Sequence, residues 1–285
     1  MQLKKILLLS AAFAALTLTF ACSDKEEGGG NDDDKGVMTL EELQTAIDNA
    51  SSDAANPTKI VLGADIEASA VIAIGDRDGK APRAVSLDGR GHTILQSADL
   101  NLGSGSGVMR VWPNSKLVLA DITLDGTKST QDHATLLDVY GTAVLGNGTT
   151  VQNLKSSAGT SGVYAYQQAF LTVEEGAAFK NIENNALGSS GATLRLNGGS
   201  FSGNGTDLFI RHYDLEAATE FAKWPAVEGK LKLGLQSFSS NSTVATAVGD
   251  YAFPSVDIFS LVWDQWTSQR ELVLEDGAIK IKEKQ

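Results

Sequence analysis

The chain has 285 residues, 42% hydrophobic and 20% charged, with 29 Gly, 5 Pro and a single Cys. Lys+Arg number 23 against 35 Asp+Glu, a formal net charge of −12 and a sequence pI near 4.7. Such a chain folds, has no intramolecular disulfide framework or Cys-rich zinc site, and offers no basic footprint for nucleic acid.

The first element is a targeting segment. Lys4 and Lys5 precede an apolar run, Ile6 to Phe20, that is too short for a stable membrane span. It ends at Thr19-Phe20-Ala21-Cys22, so the only cysteine follows a small residue at the expected cleavage point. The segment resembles a bacterial lipoprotein signal, with Thr19 where that family usually carries Leu and Leu18 one place early. The resemblance implies a signal peptide over 1–21 and a lipid on Cys22 that anchors the mature chain in a membrane. Residues 22–36 are Gly-rich, charged and poor in apolar groups, which predicts a solvated tether reaching at most about 50 Å. Its Lys25-Glu26-Glu27 resembles the surface-export signal of Bacteroidetes lipoproteins, implying an outer-membrane protein exposed at the cell surface. Cleavage leaves 21 basic and 35 acidic residues, −14. The tether's six acidic and two basic residues hold −4 of this, and the folded part −10.

Residues 37–285 are expected to form a single domain. Thr39-Leu40-Glu41-Glu42 is a capping box, and Leu40, Leu43, Ala46, Ile47 and Ala50 recur at helical spacing, predicting one helix from Thr39 to Ala50. From Lys59 onward, runs of three to five Val, Ile and Leu alternate with Gly, Asn, Asp and Ser clusters. Four segments line up: Met109-Arg110-Val111-Trp112, Leu137-Asp138-Val139-Tyr140, Val163-Tyr164-Ala165-Tyr166 and Leu194-Arg195-Leu196-Asn197. Second strands with polar anchors follow, at Ile122-Thr123-Leu124-Asp125-Gly126, Val151-Gln152-Asn153-Leu154, Phe179-Lys180-Asn181-Ile182 and Phe201-Ser202-Gly203-Asn204. A repeat of this length, with short strands and Gly/Asn turns, is that of one coil of a parallel β-helix, capped by the N-terminal helix. Beyond about Glu216 the pattern loosens and predicts a C-terminal cap, with Leu231 to Leu235 as one more coil or an added strand. There Arg270 to Ile281 forms a hairpin with an Asp276-Gly277 turn.

Val85-Ser86-Leu87-Asp88-Gly89-Arg90-Gly91-His92-Thr93-Ile94, Leu119 to Gly126 and Gly198 to Asn204 resemble coil signatures of the pectin-lyase-like superfamily. The resemblance spans about Thr39 to Tyr213 and implies an all-β, right-handed parallel β-helix. It leaves function open, because that superfamily holds lyases, hydrolases, adhesins and inert shafts.

Alternation places two outward columns on the four aligned segments. One is Arg110, Asp138, Tyr164 and Arg195, and the other is Trp112, Tyr140, Tyr166 and Asn197, with Arg211 and Tyr213 as extensions. These are the ligand-binding candidates: aromatic faces offer flat apolar area to a sugar, and Arg and Asp orient it through hydrogen bonds. The competing expectation is plain aromatic stacking between strands. Catalytic candidates are thin. Lyases of the resembled fold use calcium held by clustered carboxylates with an Arg base, whereas these columns carry one Asp. Asp76 and Asp78 are weak calcium candidates in a Gly-rich turn. Hydrolases of the resembled fold use paired or triple Asp and a Gly-His-Gly loop, a setting that His92, His133 and His212 all lack, which leaves Asp132-His133 and Arg211-His212-Tyr213-Asp214 as the remaining catalytic candidates. A net −10 repels polyuronates. Tyr251, Phe253, Phe259, Trp263 and Trp266 are expected to be buried in the cap. The expectation is a surface-anchored lipoprotein that binds a glycan or a neighbouring surface without catalysis and without a cofactor. The alternatives are a polysaccharide lyase or glycoside hydrolase, and a structural shaft or assembly partner.

Overall fold

A computed structural model describes residues 35–100, 102, 107–129, 134–155, 161–211, 219–238, 242–264 and 269–284. The signal segment, Cys22 and the tether to residue 34 lie outside the described residues, as do Asp132, His133, His212, Tyr213, Asp214 and Trp266. From Lys35 onward the chain winds into a parallel β-solenoid of about seven turns with three sheets.

The N-terminal helix, α1 (Leu40–Asp48), starts where its sequence dictates. The Thr39 hydroxyl accepts the Glu42 N–H at 3.2 Å, and the Glu42 carboxylate accepts the N–H groups of Met38 at 2.8 Å and Thr39 at 3.2 Å. Leu43 and Ile47 are fully buried over the open end of the first coil. Gln44 binds both backbone groups of Ala73, donating to its carbonyl and accepting its N–H, each at 3.0 Å. The helix therefore covers apolar surface and also satisfies a strand edge that would otherwise be open to pairing. It stops two residues before Ala50, with Asn49 as its C-cap.

Each coil supplies one strand to each sheet, except that the last, with Thr243–Ala247 and Phe259–Asp264, adds none to the second. The first sheet has ten strands, the second seven and the third eight. Residues in register form continuous inward columns. Ile60, Leu87, Leu119, Leu145, Val173, Leu196 and Phe221 run down the first sheet. Ile66, Ile94, Leu124, Val151, Phe179, Phe201 and Val227 run down the second. Met109, Leu137, Val163, Leu187, Leu208 and Leu233 run down the third. A three-residue strand buries little alone, and stacking turns these short runs into one core. Phe179 and Phe201 stack at 4.8 Å and 4° within it.

Two expectations change. Leu194–Asn197 is not the fourth rung of the third sheet. It lies in the first sheet, with Thr172 opposite Arg195 on one side and Glu220 on the other. The rung in register with Val163 is Leu187-Gly188-Ser189, because the intervening coil takes only 24 residues. The parallel stack also continues past Glu216, through Thr219–Lys223, Ala226–Val227 and Leu231–Gln236 to Thr243–Ala247 and Phe259–Asp264. The terminal cap is the antiparallel hairpin Arg270–Glu275 and Ala278–Glu283, whose Asp276-Gly277 turn has φ of 52° and 74° and whose second strand closes on Thr243–Ala247. Phe253 and Phe259 are buried there against Phe221, and Tyr251 packs half-buried on Phe253.

Candidate functional site

The third sheet carries the aromatic face. Trp112, Tyr140 and Tyr166 follow the strands Gly107–Val111, Thr135–Val139 and Ser161–Ala165, one per coil, so the solenoid repeat places their rings one above another. Trp112 and Tyr140 stack at 5.1 Å and 22°, and Tyr140 and Tyr166 at 4.1 Å and 8°. Tyr164 meets Tyr166 at 4.8 Å, tilted by 56°. All four rings are half-buried. In such a ladder each ring covers a face of its neighbour, so edges and polar atoms, not a row of open faces, are left for a ligand. The rings thus take the stacking arrangement of the competing expectation.

Asp138 faces the outer side of the sheet yet is completely buried. Its carboxylate accepts the Gly107 N–H and the Thr135 hydroxyl, both at 2.6 Å, and the Tyr166 hydroxyl at 3.5 Å. Arg110 Nε stands 3.6 Å away, an ion pair without hydrogen-bond contact. Burial pushes the Asp138 carboxyl up to about 6, against the pull of Thr135, Arg110, Gly107 and Tyr166. Burial also pushes the phenols of Tyr140 and Tyr166 above their usual value, and the Asp138 charge adds to this. Arg110 lies with its Cζ 5.5 Å from the Trp112 ring centroid. The carboxylate on one side and the indole on the other hold the guanidinium in one place.

Tyr164 is opposite Asp138 and Gly188 in register. A Cβ on Gly188 would lie 2.5 Å from the Tyr164 ring and 2.4 Å from the Ser161 hydroxyl, so the glycine is what lets the ring lie down on the next coil. Of the eight binding candidates the structure brings together six: Arg110, Trp112, Asp138, Tyr140, Tyr164 and Tyr166. Arg195 and Asn197 are elsewhere, on the first sheet. Arg195 Nε is 4.0 Å from Glu220, and Asn197 Nδ2 donates to both oxygens of Glu174 at 3.0 and 3.1 Å. Arg211 pairs with Ser190, the residue after Ser189, which pairs with Ala165. It therefore extends the column of Trp112 rather than that of Arg110.

Sequence reasoning missed Thr135 and Gly107 as partners of Asp138. The available signal was a hydroxyl three residues before a carboxylate on one strand. Asp76 accepts the Ala81 N–H at 2.9 Å and Asp78 lies 3.7 Å from Lys80. Among the described residues no three His, Cys, Asp or Glu gather closely enough to hold a metal ion. His92 Nδ1 is 3.2 Å from Asp65 in an exposed turn. No family model matches the chain, and comparison with curated proteins and with solved structures finds no match.

Proposed function

We propose that this protein is a surface-anchored lipoprotein whose solenoid, right-handed and pectin-lyase-like in style, binds a glycan through the aromatic face without performing chemistry on it. The observation that carries this reading is Asp138, wholly buried beneath a half-exposed surface of Arg110 and Tyr166. Burying the carboxylate costs stability that its bonds to Gly107 and Thr135 offset only in part, and on a binding surface it also holds the Arg110 guanidinium in place. The ligand contacts are the Arg110 guanidinium, the ring edges of Tyr140 and Tyr166 and the indole of Trp112. Anchoring through Cys22 and the 22–36 tether would hold this face clear of an outer membrane. The test is retention of the full chain, carried in detergent, on a glycan array. Trp112→Ala with Tyr140→Ala should abolish retention on at least one glycan that the wild type binds, and a retention profile unchanged across the array in the double variant sinks the reading.

The structural-shaft reading draws on ring stacking, which by itself ties successive coils together. It expects no glycan retention and a protein partner in cross-linking. The enzymatic reading is the weaker one, because a fully buried Asp138 touches no substrate. Unsaturated-uronate absorbance or new reducing ends, lost in Asp138→Ala, would restore it.

A further inference from the structure

Where the second sheet passes into the third, successive coils turn the same corner. Asn153 and Asn181 stand there with φ of 58° and 54°, and Gly203 with 65°. Asn accepts this left-handed backbone better than other side chains do. Their amides form a ladder. Asn153 Nδ2 donates to Asp125 Oδ2 at 3.0 Å, and Asn181 Nδ2 donates to Asn153 Oδ1 at 3.4 Å. Burial raises the pKa of Asp125, but Thr127, Gln152 and Asn153 outweigh it and hold the carboxyl below its ordinary value, so the ladder starts on an anion. It stops at Gly203, where a Cβ would lie 2.6 Å from Asn181 Oδ1. The third rung is missing, and no donor among the described residues reaches Asn181 Oδ1.

An open groove of about 450 Å³ occupies this corner, lined by Thr127, Asn153, Lys155, Asn181, Glu183 and Gly203. Its size lies within the roughly 300–1,000 Å³ of small-ligand sites. Lys155 and Glu183 are exposed, and their side chains have no partner among the described residues. Among the described residues the lining therefore offers one cation, one anion, two amides and a hydroxyl, with no aromatic or aliphatic side chain. Balanced charge with interleaved donors and acceptors matches vicinal hydroxyl groups, each of which both donates and accepts. It matches neither a polyanion nor an apolar ligand.

We propose that this corner groove is a binding site for a neutral oligosaccharide, separate from the aromatic face. The corner residues precede the strands of the third sheet, whereas Trp112, Tyr140 and Tyr166 follow them. A five-residue strand of about 16 Å separates the two. The inference therefore stands whether or not the aromatic face binds anything.

The test is calorimetric titration of the full chain in detergent with neutral tetrasaccharides of glucose, mannose, galactose and xylose, and with tetragalacturonate. A neutral tetrasaccharide should bind and tetragalacturonate should not. Gly203→Asn puts an amide into the groove, its Cβ displacing the Asn181 amide that would otherwise lie 2.6 Å away, and should weaken binding at least about tenfold. Lys155→Ala and Glu183→Ala alter only exposed side chains and should each weaken it about threefold or more with an unchanged melting temperature. Trp112→Ala with Tyr140→Ala should leave it intact. The proposal is overturned if none of the neutral sugars binds, if tetragalacturonate binds in their place, or if Lys155→Ala and Glu183→Ala change nothing. Loss confined to the Trp112/Tyr140 double variant would also overturn it, by assigning the sugar to the aromatic face.

Discussion

Burial of Asp138 makes a definite statement about stability against pH. The carboxyl is pushed from an ordinary 3.8 up to about 6 in the folded chain, chiefly by burial. The unfolded chain therefore sheds this proton first, and as pH rises through that window the folded state loses ground. The full window corresponds to about 3 kcal/mol, and the part between about pH 5 and about pH 7.5 to about 1.4 kcal/mol. Asp138→Asn keeps the shape and does not titrate. Urea unfolding of both chains, followed by tryptophan fluorescence, isolates the effect as a difference. The carboxyls of Asp53, Glu67, Asp125 and Glu275 are held below their ordinary values, so their support is lost only at lower pH and cancels between the two chains. Wild type should lose about 1.4 kcal/mol relative to Asp138→Asn from about pH 5 to about pH 7.5. A constant difference, or wild type gaining as pH rises, would refute the reasoning. It would mean that Arg110, Thr135 and Gly107 outweigh burial and keep the carboxylate ionised throughout.

Two further outcomes test the core and its cap. Phe179 is fully buried and stacked on Phe201, so Phe179→Ala should cost about 3–5 kcal/mol in chemical denaturation, with the largest loss of hydrogen-exchange protection in the neighbouring coils. Thr39→Ala removes the acceptor for the Glu42 N–H and should cost about 1 kcal/mol, read as a lower melting temperature and faster exchange in α1, with the later coils unaffected.

How much of this was legible in the sequence depended on distance along the chain. The Thr39 capping box, the Asp276-Gly277 hairpin and the short apolar runs are local patterns, and each formed as its residues indicate. The outward columns were legible across Arg110, Asp138 and Tyr164 because those coils have near-equal lengths. They failed at Arg195 because the next coil is shorter and its rung, Leu187-Gly188-Ser189-Ser190, carries no aromatic or charged residue to mark it. The break between the third sheet and the supposed cap at Glu216 failed similarly: the coils beyond it keep their inward Leu column while their outer faces lose the pattern.

By itself the sequence determined that this chain stacks. Short apolar strands between turn residues also suit a sandwich or a barrel, and it is their recurrence at the repeat of one coil that points to stacking. It also determined the one cysteine and its setting. Only the tertiary structure decided which rungs meet, since register follows from the length of every intervening loop. It also decided that three rings cover one another and that Asp138 is sealed beneath Tyr166 and Arg110. The corner groove has the same origin, because it opens where a glycine ends a ladder of asparagines drawn from three different coils. These are contacts between residues more than twenty places apart, and no local pattern encodes them.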